Sequence, residues 1–417
     1  MRTVEEHAGV VTGLLHRLPA QLLPLAEARG RVLAEDLVAG LDLPPFPNSA
    51  MDGYAVRVSE LEDRAGDPIA LPVSLPVSQD IPAGRTDTAP LVPGTAARIM
   101  TGAPIPDGAD GIVPVEHTDG GVGDPGAAGA TVTIHDLPVP GRHVRTRGED
   151  VAVGTVVLPA GTELGPPQLG VAAALGVAEL PVVRPARVLV LSTGTELVVP
   201  GQPLGPGQIY ESNSVMLAAA LSAIGAEPVL AHLVADDVTA FRAELDRAAA
   251  VGTPEQVDLI VTSGGVSAGA YEVVKDALTG QGVEFAKVAM QPGMPQGAGV
   301  LATAVGDIPV VTLPGNPVSS YVSFEVFLRP ALLAAMGHAG TTRPLLWLPL
   351  SAPLDSPPGK RQFRRALVDA ATGTVAPWGG PGSHLLAWLA GSDAMIVVPE
   401  DATSLEAGAP VEVWLLD

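Results

Sequence analysis

The sequence predicts a soluble multidomain protein of mixed α/β and β class. Its 417 residues exceed one ordinary core, and at roughly 150 residues per domain they predict two to four domains. The 48 Gly and 42 Pro residues indicate many turns and short strands. Strands alternate with helices from Arg187 onward, and this alternation predicts a parallel sheet covered by helices.

The N-terminal region predicts two helices. Thr3-Val-Glu-Glu6 has the spacing of a helix capping box, and the apolar positions that follow through Leu15 fit an amphipathic helix. A second, short helix is predicted from Pro24 to Ala28, because Gly30 provides a stop signal.

A small β-rich domain is predicted next. Short apolar runs alternate with Pro and Gly over residues 58–136, a pattern typical of short strands. A charged turn at 142–150, a strand and an apolar helix near 167–176 follow.

The segment from Arg187 has the clearest pattern. The predicted strands are 187–191, 228–234, 257–261 and 308–313, and the predicted helices are 213–224, 238–249, 271–278 and 318–336. Beyond Leu345 apolar runs separated by Gly and Pro predict a small C-terminal β barrel.

Three of these strands lead into loops rich in Gly and hydroxyl residues. The loops are Ser192-Thr-Gly-Thr-Glu-Leu197, Ser263-Gly-Gly-Val-Ser267 and Pro314-Gly-Asn-Pro317. Glycine lets the backbone approach a ligand, hydroxyls donate hydrogen bonds, and free N–H groups at a helix start favour negative charge. Because the carboxyl ends of parallel strands meet at one edge, the loops predict a single anion-binding pocket.

Composition excludes several classes of protein. With no cysteine there are no disulfides or thiolate sites, and the N-terminus lacks the pattern of a signal peptide, so a cytoplasmic location is expected. No uninterrupted apolar run reaches the roughly 20 residues needed to span a bilayer, and no membrane association is expected. The net charge of −22 argues against nucleic-acid binding.

Common nucleotide and metal motifs are also missing. None of the three lysines, Lys275, Lys287 and Lys360, is followed by Ser or Thr as a P-loop requires. The eight histidines show no paired metal-ligand spacing. One rival motif is Gly265-Val-Ser-Ala-Gly269, which fits the nucleophile elbow of a serine hydrolase with Ser267 as nucleophile. The longer loop and its two companions argue against that interpretation.

Acidic residues gather at loop positions of the α/β segment and before it. They are Asp52, Asp150, Glu196, Asp236 and Glu272. A few carboxylates beside phosphate-binding loops are what Mg²⁺ prefers, because ligand oxygens and water complete its coordination shell. The pattern favours metal-assisted phosphate chemistry.

Six motifs in this order resemble the molybdopterin molybdenumtransferase family, which includes bacterial MoeA and the gephyrin E domain. Three belong to the loops described above. The other three are Pro45-Phe-Pro-Asn-Ser-Ala-Met-Asp-Gly-Tyr-Ala-Val56, Arg98-Ile-Met-Thr-Gly-Ala-Pro104 and Arg147-Gly-Glu-Asp150. The resemblance covers essentially the whole chain.

The resemblance implies an activity. Such enzymes insert molybdate into the dithiolene of adenylylated molybdopterin and cleave its pyrophosphate link, releasing AMP and the molybdenum cofactor with Mg²⁺ present. They work as homodimers, so Asp52 and Thr101 are expected to serve the pocket of the partner subunit. A molybdopterin adenylyltransferase and acceptor molybdoenzymes are further expected partners.

The resemblance also implies four domains. They are an elongated split domain (1–45 and 142–180), an inserted β-rich domain (46–141), a MogA-like α/β domain with a mainly parallel sheet that binds molybdopterin (181–338) and a C-terminal β barrel (339–417).

Site residues follow from the matched motifs. Glu196, Asp236 and Glu272 match metal-binding and catalytic carboxylates, Lys287 matches the basic residue that holds the anionic substrate, and Asp52 and Asp150 complete the catalytic set. The expected substrate-binding residues are Thr101, Arg145, Ser192, Thr193, Gly194, Ser263, Gly264, Gly265, Ser267, Pro314, Gly315, Asn316, Pro317, Arg365 and Ser383.

Some positions depart from the family pattern. Gln291 and Met294 stand where many relatives carry Lys, and Thr195, Ala270 and Glu272 also differ from common residues. Loss of two ammonium groups weakens the expected oxyanion pocket. A carrier or scaffold that holds finished cofactor without inserting molybdenum therefore stays as the alternative.

Overall fold

The structure, a computed structural model, describes most of the chain. The described residues are 1–62, 68–122, 130–231, 238–239, 241–243, 245, 257–265, 273–303 and 306–416. The chain divides into two compact units. The first comprises 1–34, 161–165 and 180–417, and the second comprises 35–160 and 166–179.

The first unit begins with the predicted capped helix, Val4–Leu14. Thr3 accepts a hydrogen bond from the backbone of Glu6, whose side chain accepts one from the backbone of Thr3, so the capping box is confirmed. The predicted helix from Pro24 to Ala28 is wrong. A strand, Ala20–Pro24, ends at Pro24 and pairs with Glu179–Val183, and residues 25–27 form a turn. Tertiary pairing overrides the weak local helix signal.

A six-stranded sheet forms the centre of the first unit. Its spatial order is Glu227–Leu230, Arg187–Ser192, Leu259–Ser263, Gly306–Leu313, Pro295–Thr303 and Val283–Lys287. The first four strands are parallel, as the strand–helix alternation predicts. The last two pair antiparallel, so the sheet is mainly parallel, as expected.

Glycine hides the antiparallel strand Pro295–Thr303 from sequence patterns. Gly297 and Gly299 have low strand propensity, yet both are needed. A Cβ at Gly297 would lie 2.3 Å from Oγ1 of Thr312, and one at Gly299 would lie 2.1 Å from the carbonyl oxygen of Gly282. Neighbouring strands therefore approach at positions where only glycine fits.

Helices cover the sheet. They include Asn213–Ala223, Val273–Leu278 and a long segment that is α-helical at Pro317–Ser323, π-helical at Phe324–Leu328 and α-helical again at Arg329–Ala335. Of the predicted helix 238–249, residues 238–239, 241–243 and 245 are described, and they are helical.

The helix Pro317–Ala335 is long and apolar enough to cross a bilayer, but 78% of its apolar window is buried inside the protein. Phe324, Phe327 and Leu328 lie in the same core cluster as Val4 and Val11 of the N-terminal helix. These contacts identify a core helix.

The C-terminal part of the first unit is the predicted β barrel. Successive pairing joins Leu345–Pro349, Pro410–Leu415, Ala394–Val398, Arg361–Asp369 and Thr374–Pro377. A bridge between Leu350 and Val375 closes the ring. Shorter elements of this unit are the strands Leu197–Val198, Ile209–Tyr210, Met290–Gln291, Leu354–Asp355 and Ser404–Leu405 and the helix Leu386–Ala390.

The second unit contains the predicted β-rich domain. Its five-stranded sheet has the order Gly111–Pro114, Gly53–Val56, Ala96–Ile99, Val73–Ile81 and Thr131–Ile134. The unit also contains the strands Leu37–Val38, Asn48–Ser49, Val144–Arg145 and Val156–Leu158, the 3₁₀ helices Val58–Leu61 and Val115–His117, and the apolar helix Pro166–Ala174.

Candidate active site

A cavity of about 770 Å³ lies at the carboxyl ends of the parallel strands of the first unit. It contains parts of all three loops that the sequence singles out. Predicted site residues on its wall are Ser192, Thr193, Gly194, Glu196, Ser263, Gly264, Gly265, Pro314, Gly315, Asn316 and Ser383. The fold therefore brings together side chains and backbone groups from distant parts of the sequence, as expected for a ligand site at strand ends.

The first loop is anchored by Glu211, a residue that sequence patterns did not single out. Its carboxylate is 5% exposed and accepts hydrogen bonds from Oγ of Ser192 at 2.9 Å and from the backbone N–H of Ser214 at 2.8 Å. The hydroxyl of Ser214 donates to the second carboxylate oxygen. These donors offset the cost of burying a carboxylate and fix Ser192 on the wall. A signal was available, because an acidic residue just before a helix start often binds its free N–H groups.

The second loop requires glycine. Gly264 and Gly265 have φ angles of +97° and +65°, which residues with a Cβ rarely adopt. A Cβ at Gly264 would also lie 3.0 Å from the carbonyl oxygen of Thr193, in the first loop. The first two loops thus contact each other through backbone atoms.

Asn213 ties the second loop to the third. Its Nδ2 donates to Oγ of Ser263 at 2.8 Å and to the carbonyl oxygen of Gly315 at 2.7 Å. The Gly315 carbonyl can only accept, so the orientation of this amide is fixed. Sequence analysis missed Asn213, since one Asn at a helix start is usually a cap.

The C-terminal barrel contributes the loop 380–383. Nδ2 of Asn316 donates to Oγ of Ser383 at 2.9 Å, and the N–H of Val318 donates to the Ser383 carbonyl at 3.1 Å. Arg365 is 4% exposed and its guanidinium donates to the carbonyls of Gly380 and Gly382. Burial, with the charge of Arg364, holds the pKa of Arg365 below its usual range. Arg365 therefore supports the loop from behind.

The turn 291–294 forms another part of the wall. Gly293 has a φ of +100°, and the buried Gln296 donates from Nε2 to the Gly293 carbonyl at 2.6 Å and to Oγ of Ser323 at 2.7 Å. Gln291 and Met294, the two positions where many relatives carry Lys, both line the cavity.

Other predicted site residues lie elsewhere or outside the described residues. Lys287 is exposed at the end of its strand, where its register partner is the lining residue Pro295. Pro317 begins the core helix. Asp236, Ser267 and Glu272 lie outside the described residues.

Four predicted residues belong to the second unit. Asp52 accepts hydrogen bonds from the backbone N–H of Thr101 at 2.7 Å and from its Oγ1 at 2.8 Å. These bonds lower the pKa of Asp52. Arg145 lies in a short strand opposite Asn48, and the backbone N–H of Asp150 donates to the carbonyl of Leu43.

The carboxylates near the cavity determine whether Mg²⁺ fits there. Within the described parts of the chain, no three His, Asp or Glu side chains are grouped closely enough to hold a metal ion. The carboxylates on the wall belong to Glu196 and Glu211, and Glu211 is already hydrogen-bonded to Ser192 and Ser214. Glu196 fits as one ligand of a cation whose remaining ligands are phosphate oxygens and water.

Comparison with known proteins decides the family. Residues 2–176 match the MoeA N-terminal region (domain I and II), residues 189–334 a family described as "Probable molybdopterin binding domain", and residues 348–416 the MoeA C-terminal region (domain IV). The chain belongs to the MoeA family. The family expected from the six motifs is confirmed.

Full-length relatives support the same family assignment. The chain is 54% identical to molybdopterin molybdenumtransferase 2 of Mycobacterium tuberculosis strain H37Rv, over 99% of each chain. It is 34% identical to molybdopterin molybdenumtransferase of Haemophilus influenzae, over 96% of each.

Solved structures agree as well. A crystal structure of the molybdopterin biosynthesis MoeA protein from Pyrococcus horikoshii OT3 matches with a TM-score of 0.79 at 27% identity, over 100% of both chains. The multidomain MoeA fold expected from the sequence, with its MogA-like central domain, is confirmed.

Proposed function

We propose that this MoeA-family chain is a molybdopterin molybdenumtransferase that inserts molybdate into adenylylated molybdopterin. The observation that carries the proposal is the convergence of three glycine-bearing loops on one cavity. Anionic groups bind well where backbone N–H groups and hydroxyls meet at strand and helix ends. The names of the full-length relatives support the same reaction.

The proposed reaction has two parts. Two Mo–S bonds form to the dithiolene, and one molybdate oxygen leaves as water with the two thiol protons. A P–O bond of the pyrophosphate link breaks as a second water is taken up, which releases AMP and the finished cofactor. The wall holds and orients both anions, so that a bimolecular step proceeds within one complex.

Individual residues receive proposed roles. Ser192, Thr193, Ser263 and backbone groups of the glycine loops would bind the nucleotide substrate, and Lys287 would attract its pyrophosphate. Glu196 would bind Mg²⁺ with Asp236 and Glu272, and the cation would offset charge that develops on phosphate oxygens. Arg365 is proposed as a positioning residue for the loop that carries Ser383.

The assembly and location are part of the proposal. The chain would act as a cytoplasmic homodimer in which Asp52, Thr101, Arg145 and Asp150 complete the partner's site. It would receive substrate from a molybdopterin adenylyltransferase and pass product to molybdoenzymes. The four domain boundaries given above belong to the same proposal.

The alternatives are not favoured. Relatives at 34% and 54% identity carry the name of the transferase, which argues against a carrier without activity. The hydrolase interpretation depends on Ser267, and it gives no purpose to the loops around Ser192 and Pro314.

AMP release tests the proposal. Wild-type protein mixed with adenylylated molybdopterin, molybdate and Mg²⁺ is expected to release AMP. Glu196→Ala should lower the rate at saturating substrate by about a hundredfold or more, because removing one preorganised charge costs on the order of 3 kcal/mol. Lys287→Ala should raise KM.

Glu406→Ala, an exposed change, serves as the control and should release AMP at the wild-type rate. Substrate binding by the wild type without AMP release would favour a carrier and contradict the proposal. Wild-type turnover by Glu196→Ala would show that the site is elsewhere.

A further inference from the structure

The cavity has an unexpected charge for an anion site. The charged side chains on the described wall are Glu196 and Glu211, and none of its described lining residues is Lys, Arg or His. An oxyanion that enters this part of the cavity therefore meets carboxylates and neutral groups.

Nearby basic residues do not add a positive charge to the described wall. Lys287 is exposed, and Lys275 lies in the helix Val273–Leu278 with its backbone N–H bonded to the carbonyl of Gly265; neither lysine is on the described wall. The guanidinium of Arg365 is buried behind the loop 380–383, where it binds backbone carbonyls. The sequence segments 232–237 and 266–272, which flank the site in the chain, contain neither Lys nor Arg.

Gln291 is a neutral donor held in a fixed position. Its strand, Met290–Gln291, pairs with Arg361–Gln362 of the barrel. Gln291 lines the cavity, and its Oε1 accepts from Nε2 of Gln362 at 3.3 Å, so Nε2 is the group of this amide that can donate to a ligand. No described residue accepts a hydrogen bond from it. The following turn is held by Gln296 through Gly293, which fixes the backbone of Gln291.

Other uncharged donors line the same cavity. Thr193 is 6% exposed, and its Oγ1 is buried without a hydrogen-bond partner among the described residues. A buried hydroxyl without a partner lowers stability, and a hydrogen bond to a bound ligand oxygen would remove that cost. Ser319 and Ser383 add further hydroxyls.

We infer that the cavity holds its tetrahedral oxyanion through uncharged donors, and that the Gln291 carboxamide determines the affinity. This inference rests on the proposed function and specifies how molybdate is bound. N–H and O–H dipoles that point at one place can hold an anion without a lysine or arginine.

Uncharged recognition predicts an unusual response to salt. Added salt weakens an anion site built from Lys or Arg, because it screens their attraction. Here the nearby carboxylates and the net charge of −22 repel the anion, and salt screens that repulsion. Molybdate affinity should therefore stay constant or increase with salt.

Molybdate binding by the full-length protein tests the inference. Calorimetry is run without Mg²⁺, in the presence of a chelator, at KCl concentrations from about 25 to about 250 mM. For the wild type we expect Kd to stay constant or to fall by up to about threefold. Gln291→Met keeps the side-chain length but removes the donor, and should weaken binding about tenfold or more. Gln291→Lys should bind more tightly at low salt and lose that gain at high salt.

Gln202→Lys is the matched control, because it adds the same charge on an exposed loop residue, and it should bind as the wild type does. A wild-type Kd that rises tenfold with salt, undetectable wild-type binding, or unchanged binding by folded Gln291→Met would overturn the inference. The wild-type salt series tests whether the anion is held by uncharged donors, even if Gln291→Met does not fold. AMP release is a separate measurement, so normal turnover with strongly salt-weakened molybdate binding would refute this inference and leave the proposed function standing.

Discussion

At the scale of single residues, a buried polar group either has a hydrogen-bond partner or lowers the stability of the protein. The Glu211 carboxylate accepts hydrogen bonds at the helix start, and Nδ2 of Asn213 donates to two loops, while Oδ1 of Asn213 is buried without a partner among the described residues. Sequence patterns predict Ser192 and Ser263 because their loops contain glycine after a strand. The position of Glu211 before a helix start could have predicted its bonds to Ser214. Its bond to Ser192 and the bonds of Asn213 could not be predicted, because those partners come from other segments of the chain.

His7 gives a prediction about pH. Its ring is fully buried and packs edge-on against Phe327, with ring centroids 4.7 Å apart. Burial, with the nearby charge of Arg2, lowers the pKa of His7 from 6.5 to about 4. The unfolded chain therefore binds a proton more readily than the folded one. This contribution to stability is complete above pH 6.5 and is lost as pH falls towards 4.

Between pH 8 and pH 4.5 the free energy of unfolding should fall by about 2–3 kcal/mol because of His7. Urea unfolding of wild type and His7→Met at pH 8 and pH 4.5 measures it. We expect the wild type to lose that much more stability on acidification than His7→Met does. Equal losses in the two proteins would contradict the account of His7.

At the scale of elements, the core helix 317–335 departs from the regular helix that apolar periodicity predicts. Its π-helical turn contains Glu325, which is 4% exposed. Nε and NH2 of Arg343 contact the two carboxylate oxygens of Glu325 at 2.9 and 3.0 Å. Periodicity marks Glu325 as an exception in an apolar segment but cannot reveal Arg343, which lies beyond the end of the helix.

Removal of the Glu325 charge should destabilise the protein. Glu325→Gln leaves the buried guanidinium of Arg343 without its carboxylate, at a cost of about 3–5 kcal/mol. Urea unfolding measures the change, with the exposed Glu406→Gln as a control. The double variant Glu325→Leu with Arg343→Met should regain only part of the loss, because Arg329, whose Nε lies 3.8 Å from the Glu325 carboxylate, still loses that neighbouring charge. A loss below about 1 kcal/mol for Glu325→Gln would refute the buried pair as a major element of stability.

At the scale of the whole molecule, strand–helix alternation was sufficient to predict the central sheet and its loops. It missed the two antiparallel strands, Pro295–Thr303 and Val283–Lys287. In the first of them, Gly297 and Gly299 are required by close packing and weaken the strand pattern. It also predicted a helix at 24–28. The residues just before this segment, Ala20–Pro24, form a strand that pairs with Glu179–Val183. Three loops distant in sequence meet because three parallel strands end at one edge, and this feature could be predicted from the chain alone.

The central claim is that these loops form the site where molybdate meets the nucleotide substrate. A crystal grown with AMP, Mg²⁺ and molybdate tests it directly through the anomalous scattering of molybdenum. We expect an anomalous peak inside the cavity lined by Ser192, Gly264, Gln291 and Ser383. A peak only at another surface, with that cavity filled by water, would contradict the account.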